Sequence, residues 1–226
     1  MDGLIFGFDG VIVDSEPIHL AGFQQVLAGE GIQLTRQQYY QHYLGYDDHD
    51  CFVAILRDRG RGADREQVAQ MTARKTAIVQ RMLAESIQPL PGARELILAA
   101  AGAGVAMAIC SGALRAEIEL AARAVGVLER FQAIVSAQDV SAGKPDPQGY
   151  RLALNRLREA THRPLEAARC IVIEDAPAGI EAAKLAGMAV LAVATSYPPE
   201  QLAQADRVVR DLTEVDLPVL ISIIIT

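Results

Sequence analysis

The segment IVIEDAPAGIEAAKLAGM, residues 171–188, decides the fold class of this 226-residue chain. It continues an apolar run, Cys170–Glu174, that ends at two adjacent carboxylates, Glu174 and Asp175. The run does not alternate between polar and apolar residues, which indicates a strand buried on both faces. Similar apolar runs lie near Leu4–Phe8, Val105–Cys110, Ala133–Ser136 and Ala189–Val193, with a weaker one at Arg207–Val209.

Segments with helical periodicity separate these runs, which predicts right-handed β-α-β units and an open parallel sheet. The expected fold class is therefore α/β, with helices flanking the sheet. In such sheets ligands bind beyond the carboxyl ends of the strands. The polar segments that follow the apolar runs all lie at those ends.

The segment between the first two apolar runs is far too long for one crossover helix. Residues 16–86 within it are mostly of helical character, and we expect them to form an inserted all-α cap domain over the sheet's functional edge. Residues 1–15 and 87–226 then form the sheet-containing core. The expected hinges are Ser15–Glu16 and Ile87–Pro91.

Helix boundaries inside the cap can be placed from proline, glycine and aspartate. Pro17 suits the first turn of a helix that ends at Gly29 or Gly31. Asp64 suits the N-cap of a helix that runs to about Ser86. Apolar residues recur at a spacing of three to four along this last helix, namely Val68, Met71, Ile78, Val79 and Met82.

Composition limits the classes of partner and the location. The net charge is −7 and no basic run exceeds two residues, which argues against a nucleic-acid or anionic-membrane surface. No apolar run approaches the ~20 residues of a membrane span, and Met1 leads into a strand without the basic segment of a signal peptide. Cys51, Cys110 and Cys170 lie in apolar contexts without CxxC spacing, so we expect buried reduced thiols and a cytoplasmic protein. The oligomeric state is not indicated, and the β-prone tail ISIIIT, residues 221–226, is expected to be packed.

Four segments bring chemistry to the strand ends. In IFGFDGVIVDSEPIH, residues 5–19, the carboxylate of Asp9 is suited to protonating a leaving oxygen and then activating water. Ser111 is first of all an expected helix N-cap, and its hydroxyl and the following backbone N–H groups, from Gly112 onward, also make a phosphate cradle. Lys144, held in an extended loop before Pro145, is placed to neutralise a phosphoryl group.

The adjacent carboxylates of Glu174 and Asp175 repel each other unless a cation or base lies between them. Magnesium prefers such hard oxygen ligands. These two residues form a candidate Mg²⁺ site. Capping and surface solvation remain alternative explanations for Ser111 and Lys144.

These four segments, in this order, resemble the motifs of the haloacid dehalogenase superfamily, and specifically its β-phosphoglucomutase-like phosphatases with a helical cap. The motifs are GFDGV at residues 7–11 with DSEPIH at 14–19, CSG at 110–112, GKP at 143–145 and IVIEDAPAGIEAAKLAGM. The resemblance spans the whole chain and implies a Rossmann-like core and a Mg²⁺ cofactor bound by Asp9 with Glu174 and Asp175. It also implies a small phosphorylated metabolite, such as a sugar phosphate, as substrate.

Position 7 departs from the family pattern DxDG[TV], because Gly7 stands where relatives have the aspartate that attacks phosphorus and helps to bind magnesium. The resemblance then leaves three alternatives open. In the first, the chain is a phosphatase whose nucleophile was lost by engineering or a sequence variant. In the second, it is a natural pseudoenzyme that binds a phosphorylated ligand. In the third, it is a weak hydrolase that uses direct attack by a metal-bound water.

The cap contributes further candidates. The resemblance gives His19 a role in positioning Asp9, and Lys75 either a role in binding phosphate or, as a long side chain, an exit to water. Tyr46, Asp48 and His49 are expected to face the substrate. A sugar phosphomutase is the alternative activity, but the two acidic residues after Gly45, Asp47 and Asp48, disfavour a second phosphate group, so hydrolysis is preferred.

Overall fold

The computed structural model describes residues 1–44, 46 and 48–225. Contacts between residues divide the chain into two compact units, Met1–Asp14 with Ile87–Thr226, and Ser15–Ser86. No helix in the described part of the chain is long and apolar enough to cross a membrane.

In the first unit, the described residues form a six-stranded sheet whose neighbouring strands are all parallel, in the order β3-β2-β1-β4-β5-β6. The predicted α/β fold with an open parallel sheet is therefore confirmed. Every residue of the three central strands is buried, as their unbroken apolar character predicts. The strands are β1 (Gly3–Phe6), β2 (Ala106–Cys110), β3 (Ala133–Val135), β4 (Cys170–Glu174), β5 (Ala189–Val193) and β6 (Arg207–Val209).

Five helices of this unit, within the described residues, follow the strands along the chain. They are α5 (Ala93–Gly102), α6 (Arg115–Ala124), α7 (Gln148–Thr161), α8 (Pro177–Leu185) and α9 (Leu217–Ile225). Helix α7 buries Tyr150, Ala153 and Leu157 in a core cluster shared with strands β1, β2 and β4. Cys110 and Cys170 belong to the same cluster, and Cys51 is buried in the second unit.

The C-terminal tail, which was expected to be packed, is part of helix α9 and is packed only in part. The side chain of Asp216 accepts a hydrogen bond from the backbone N–H of Val219 at 2.8 Å, which caps the first turn of α9. This helix start outweighs the β propensity of the isoleucines that follow. Leu220 is packed, whereas Ile221 is 40% exposed.

The second unit is helical throughout its regular elements in the described residues. These are α1 (Glu16–Gly29), α2 (Arg36–Gln38), a π-helix (Tyr39–Tyr43), α3 (Asp48–Asp58) and α4 (Arg65–Ser86). Pro17 lies in the first turn of α1, and Asp64 accepts hydrogen bonds from the N–H groups of Glu66 and Gln67 at the start of α4, as predicted. The buried stripe of α4 is Val68, Met71, Lys75, Val79 and Leu83. Met82 and Ile78 were expected in it and are only half-buried.

Candidate active site

Position 7 lies directly after β1, with its backbone still hydrogen-bonded as part of the sheet. The N–H of Gly7 donates to the carbonyl of Ile173 at 2.8 Å. A Cβ atom on Gly7 would lie 3.0 Å from a methyl of Val11 and 3.4 Å from Oε1 of Glu174. A side chain at position 7 would therefore point towards the carboxylate of Glu174.

The Asp9–Gly10 turn packs against Asp175. Gly10 has φ of 74°, and a Cβ there would lie 1.9 Å from Oδ2 of Asp175, so only glycine permits this close approach. The hydroxyl of Thr195 donates to the carbonyl of Gly10 and closes the other side of the turn. The fold thus brings the first and fourth sequence motifs together.

The carboxylate of Glu174 is enclosed, with 1% of the residue exposed. Its Oε1 accepts from Nζ of Lys144 and from the hydroxyl of Tyr150, the latter at 2.5 Å. Its Oε2 accepts from the backbone N–H groups of Asp175 and Ala176 at 3.0 and 3.3 Å, at the start of α8. Burial alone would raise the pKa of Glu174, but the Lys144 ammonium and these donors bring it below the ordinary value.

The neighbouring Asp175 lies in a different environment. Burial, and next to it the charge of Glu174, raise the pKa of Asp175 to about 7, against which a hydrogen bond from Ser196 acts only in part. A buried carboxylate that is unfavourable in its charged form is the kind of group that a cation stabilises.

Lys144 is placed at the wall of a cavity of about 490 Å³ that is also lined by Ser111 and Gly112. Its Nζ lies 5.2 Å from the centre of the Tyr150 ring, and 27% of its side chain is exposed. Burial acts to lower the pKa of Lys144, but the charge of Glu174 raises it above the ordinary value. The three residues assigned to phosphate binding therefore share one cavity, with the lysine protonated.

Two local expectations around this cavity are wrong. Ser111 is not a helix N-cap, because α6 begins at Arg115 after Leu114 and the Ser111 hydroxyl instead accepts from the N–H of Ala113 at 3.0 Å. Helix α7 begins at Gln148, one residue later than Asp146 and Pro147 suggested, although the Asp146 side chain does accept from the Gln148 N–H. In both places the loop before the helix is longer than expected, so the helix starts later in the sequence.

Tyr150 was missed by reasoning from sequence. It is fully buried, it donates to Glu174, and it lines the cavity beside Lys144. Its position three residues after Pro147 predicts only that it lies on the buried face of α7. Sequence spacing does not predict which group its hydroxyl contacts.

A magnesium ion fits the residues of this site in part. Asp175 supplies a buried oxygen ligand whose charge lacks full compensation, and the Asp9–Gly10 turn lies against it. Glu174 has both oxygens engaged by protein donors, and Gly7 supplies no side-chain ligand. Among the described residues, no group of three His, Cys, Asp or Glu side chains is arranged to hold a metal ion.

The second unit contains a separate buried polar cluster. Nζ of Lys75 lies 2.7 Å from Nδ1 of His19 and 2.5 Å from Oδ1 of Asp48. Only 1% of the Lys75 side chain is exposed, so the expected exit to water is wrong. Burial and the Lys75 charge lower the pKa of His19 to about 4. Because an ammonium only donates, this contact assigns the neutral His19 proton to Nε2.

Tyr46 and His49 line another cavity of this unit, of about 640 Å³, together with Arg57 and Arg65. Asp48, which was grouped with them, pairs instead with Lys75. Gly45 and Asp47 lie outside the described residues.

Comparison with known proteins gives consistent matches. Residues 1–187 match the family described as haloacid dehalogenase-like hydrolase. The chain is 30% identical to validoxylamine A 7'-phosphate phosphatase of Streptomyces hygroscopicus subsp. limoneus, over 95% of each protein. It is 32% identical to the fructose-1-phosphate phosphatase YqaB of Escherichia coli (strain K12), over 82% of this chain and 93% of that protein.

A solved structure extends the match to the fold. CbbY from Rhodobacter sphaeroides, crystallised in complex with phosphate, superposes with a TM-score of 0.80 at 26% identity, covering 95% of this chain and 96% of CbbY. The family match, the two phosphatases and this structure agree with the motifs quoted from the sequence. The chain belongs to the haloacid dehalogenase-like hydrolases.

Proposed function

We propose that this chain binds phosphate esters of small metabolites, with sugar phosphates as the preferred class, and that Gly7 removes the covalent step by which its relatives hydrolyse them. One observation supports this most directly: the backbone of Gly7 retains its place in the sheet, and its absent side chain would point into the group formed by Glu174 and Lys144. The names of two relatives, phosphatases for validoxylamine A 7'-phosphate and fructose 1-phosphate, support the substrate class.

The roles of the remaining residues follow from their chemistry. Lys144 neutralises the phosphoryl oxygens, and the Ser111 hydroxyl and the Gly112 N–H donate to them. Asp9 holds or delivers the proton of the leaving oxygen. Asp175 would hold Mg²⁺, which in a Gly7→Asp protein would neutralise charge on the restored carboxylate and on the phosphoryl group.

Without the attacking carboxylate, turnover by the aspartyl-phosphate route stops. Removing the nucleophile from a hydrolytic site costs about 10⁴- to 10⁶-fold in kcat. We therefore expect the chain to bind substrate and to show, at most, a residual rate of that size relative to a variant with the nucleophile restored.

Hydrolysis is preferred over phosphomutase activity on the basis of charge in the second unit. A mutase must hold a second phosphate group, which requires a cation available for it. Lys75 does not meet this requirement, because only 1% of its side chain is exposed and Asp48 is its counterion at 2.5 Å. The cations that a mutase would have to use in this unit are Arg57 and Arg65, at the cavity of Tyr46 and His49.

The test is phosphate release from a panel of sugar phosphates, including fructose 1-phosphate, with Mg²⁺ and with EDTA. Three proteins are compared: the chain itself, Gly7→Asp, and Gly7→Asn as a control of equal shape without a nucleophile. We expect only Gly7→Asp to turn over, and Asp9→Asn in that background to abolish the activity. If Gly7→Asp binds the panel but releases nothing, the chain is a binding protein and the hydrolase proposal fails.

A further inference from the structure

The negative charge of Glu174 is compensated within the protein. Two donors contact Oε1, the Lys144 ammonium and the Tyr150 hydroxyl, and two backbone N–H groups contact Oε2. The carboxylate also lies against Gly179 in the first turns of α8, where a Cβ would come within 2.2 Å of it, so it faces the positive end of the helix. No external cation is needed to hold Glu174 in place.

Position 7 adds no negative charge to the same group. A carboxylate there would project towards Oε1 of Glu174, because the Cβ position lies 3.4 Å from that atom. It would compete with Glu174 for the Lys144 ammonium and would repel an incoming phosphate. Gly7 leaves Lys144 with one carboxylate partner among the contacts described, and 27% of its side chain is open towards the cavity.

These observations bear on what a divalent cation does at such a site. A cation is commonly the largest local charge, and it allows a phosphate anion to approach a cluster of carboxylates. When one carboxylate is absent and another is neutralised by a fixed lysine, part of the repulsion that the cation offsets is absent too, and the Asp175 carboxylate that remains is turned towards Gly10 and Ser196. Protein contacts hold two of the donors for phosphate, since the Ser111 hydroxyl accepts from the N–H of Ala113 and the Lys144 ammonium donates to the Cys110 carbonyl and to Glu174.

We infer that the cavity lined by Ser111, Gly112 and Lys144 binds phosphate without a divalent cation in this chain, and that restoring a carboxylate at position 7 makes the binding depend on Mg²⁺. This rests on the proposed function, since it concerns the same cavity. Gly7 would then have two effects: it removes turnover, and it allows phosphate to bind without the metal. Glu174 then acts as a positioning residue for Lys144.

The experiment is a titration with inorganic phosphate, measured by isothermal titration calorimetry, once in EDTA and once in Mg²⁺. Both conditions use pH 8, so that the charge of inorganic phosphate is the same in each. The proteins are the chain, Gly7→Asp and Gly7→Asn. We expect the dissociation constant of the chain and of Gly7→Asn to change by less than about twofold on removal of Mg²⁺, and that of Gly7→Asp to rise by at least about tenfold.

A tenfold or greater loss of affinity in the unmodified chain on removal of Mg²⁺ overturns the inference. Equal behaviour of the chain and Gly7→Asp in EDTA overturns it as well. Lys144→Met locates the binding: loss of binding with an unchanged circular dichroism spectrum supports the cavity, whereas unchanged binding means an adventitious ion only.

Failure of this inference is distinguishable from failure of the proposed function. If Gly7→Asp hydrolyses a sugar phosphate while the chain needs Mg²⁺ for phosphate, only the inference fails. If neither protein binds phosphate under any condition, both fail.

Discussion

Restoring aspartate at position 7 is expected to destabilise the metal-free protein. One term favours the Gly7→Asp variant, because replacing glycine reduces the conformational entropy of the unfolded chain, which contributes about 0.4–1 kcal/mol. The backbone of Gly7 is outside the left-handed region, so aspartate adds no strain in φ. The new Cβ would lie 3.0 Å from a methyl of Val11 and 3.3 Å from the backbone carbonyl of Ile173, so both must shift by a few tenths of an ångström, in Gly7→Asp and in Gly7→Asn alike.

The opposing term is electrostatic and larger. The new carboxylate would extend from a Cβ position 3.4 Å from Oε1 of Glu174. Two like charges about 4 Å apart repel by about 4 kcal/mol at an effective dielectric constant of 20. The Lys144 ammonium, shared between the two carboxylates, offsets part of this. After the entropy gain is subtracted, we expect a net loss of about 1–3 kcal/mol in the free energy of unfolding, and a Tm lower by about 2–10 °C.

Thermal unfolding in EDTA at pH 8 measures this difference. Gly7→Asn is the matched control, because it has the same shape and the same entropy gain but no charge, and its Tm should equal or exceed that of the chain. Adding Mg²⁺ should raise the Tm of Gly7→Asp more than that of the other two, since only this variant has the extra anionic ligand. A metal-free Gly7→Asp protein that melts at or above the temperature of the unmodified chain would refute the electrostatic reasoning.

Three further predictions concern buried polar groups. Asp48→Asn leaves the buried Lys75 ammonium without its counterion and should lower the free energy of unfolding in urea by about 2–4 kcal/mol. Lys75→Met removes the buried charge and should be near neutral or stabilising. Equal losses of unfolding free energy in the two variants would contradict this. The pKa of His19 in the folded state, about 4, is below its ordinary value of 6.5. Between these two pH values the unfolded chain therefore binds more protons than the folded protein, and the free energy of unfolding falls by about 3 kcal/mol as the pH drops from 6.5 to 4. His19→Gln should flatten the dependence of unfolding free energy on pH across that range, and an unchanged slope would count against it. Tyr150→Phe removes a hydroxyl that donates to the buried Glu174 carboxylate and should cost about 1.5–3 kcal/mol in urea unfolding, a value that a loss below 0.5 kcal/mol would rule out.

Much of the fold could be predicted because its signals are local. Buried parallel strands need continuous apolar residues, and runs such as Cys170–Glu174 and Ala189–Val193 became strands with those bounds. Pro17 and Asp64 mark helix starts through their own backbone and side-chain chemistry, which depends little on the rest of the chain. The gathering of Ser111, Gly112 and Lys144 at one cavity likewise follows from strand ends meeting at one edge of the sheet.

The wrong expectations share a different cause, since each depended on distant partners. For Lys75 the sequence left open an exit to water or contact with a bound phosphate, but residues distant in sequence, His19 and Asp48, satisfy its ammonium inside the helical unit. The tail was expected to be packed, but Asp216 starts a helix there and Ile221 remains 40% exposed. Local periodicity contains no information about which partner a buried polar group finds.

Glu174 and Asp175 show why adjacency in sequence did not determine a shared role. Side chains that follow one another at a strand end project in different directions, so the two carboxylates enter separate environments. Glu174 turns towards Lys144, Tyr150 and the start of α8, where donors lower its pKa, while Asp175 turns towards Gly10 and Ser196, where burial and the Glu174 charge raise its pKa to about 7. Glu174 thus anchors a lysine, whereas Asp175 forms no ion pair within the described part of the chain and is the carboxylate that a cation would stabilise. A cation therefore gains most from Asp175, and a phosphate anion meets Lys144 already fixed by Glu174, which is why we expect the two ligands to bind independently as long as position 7 is glycine.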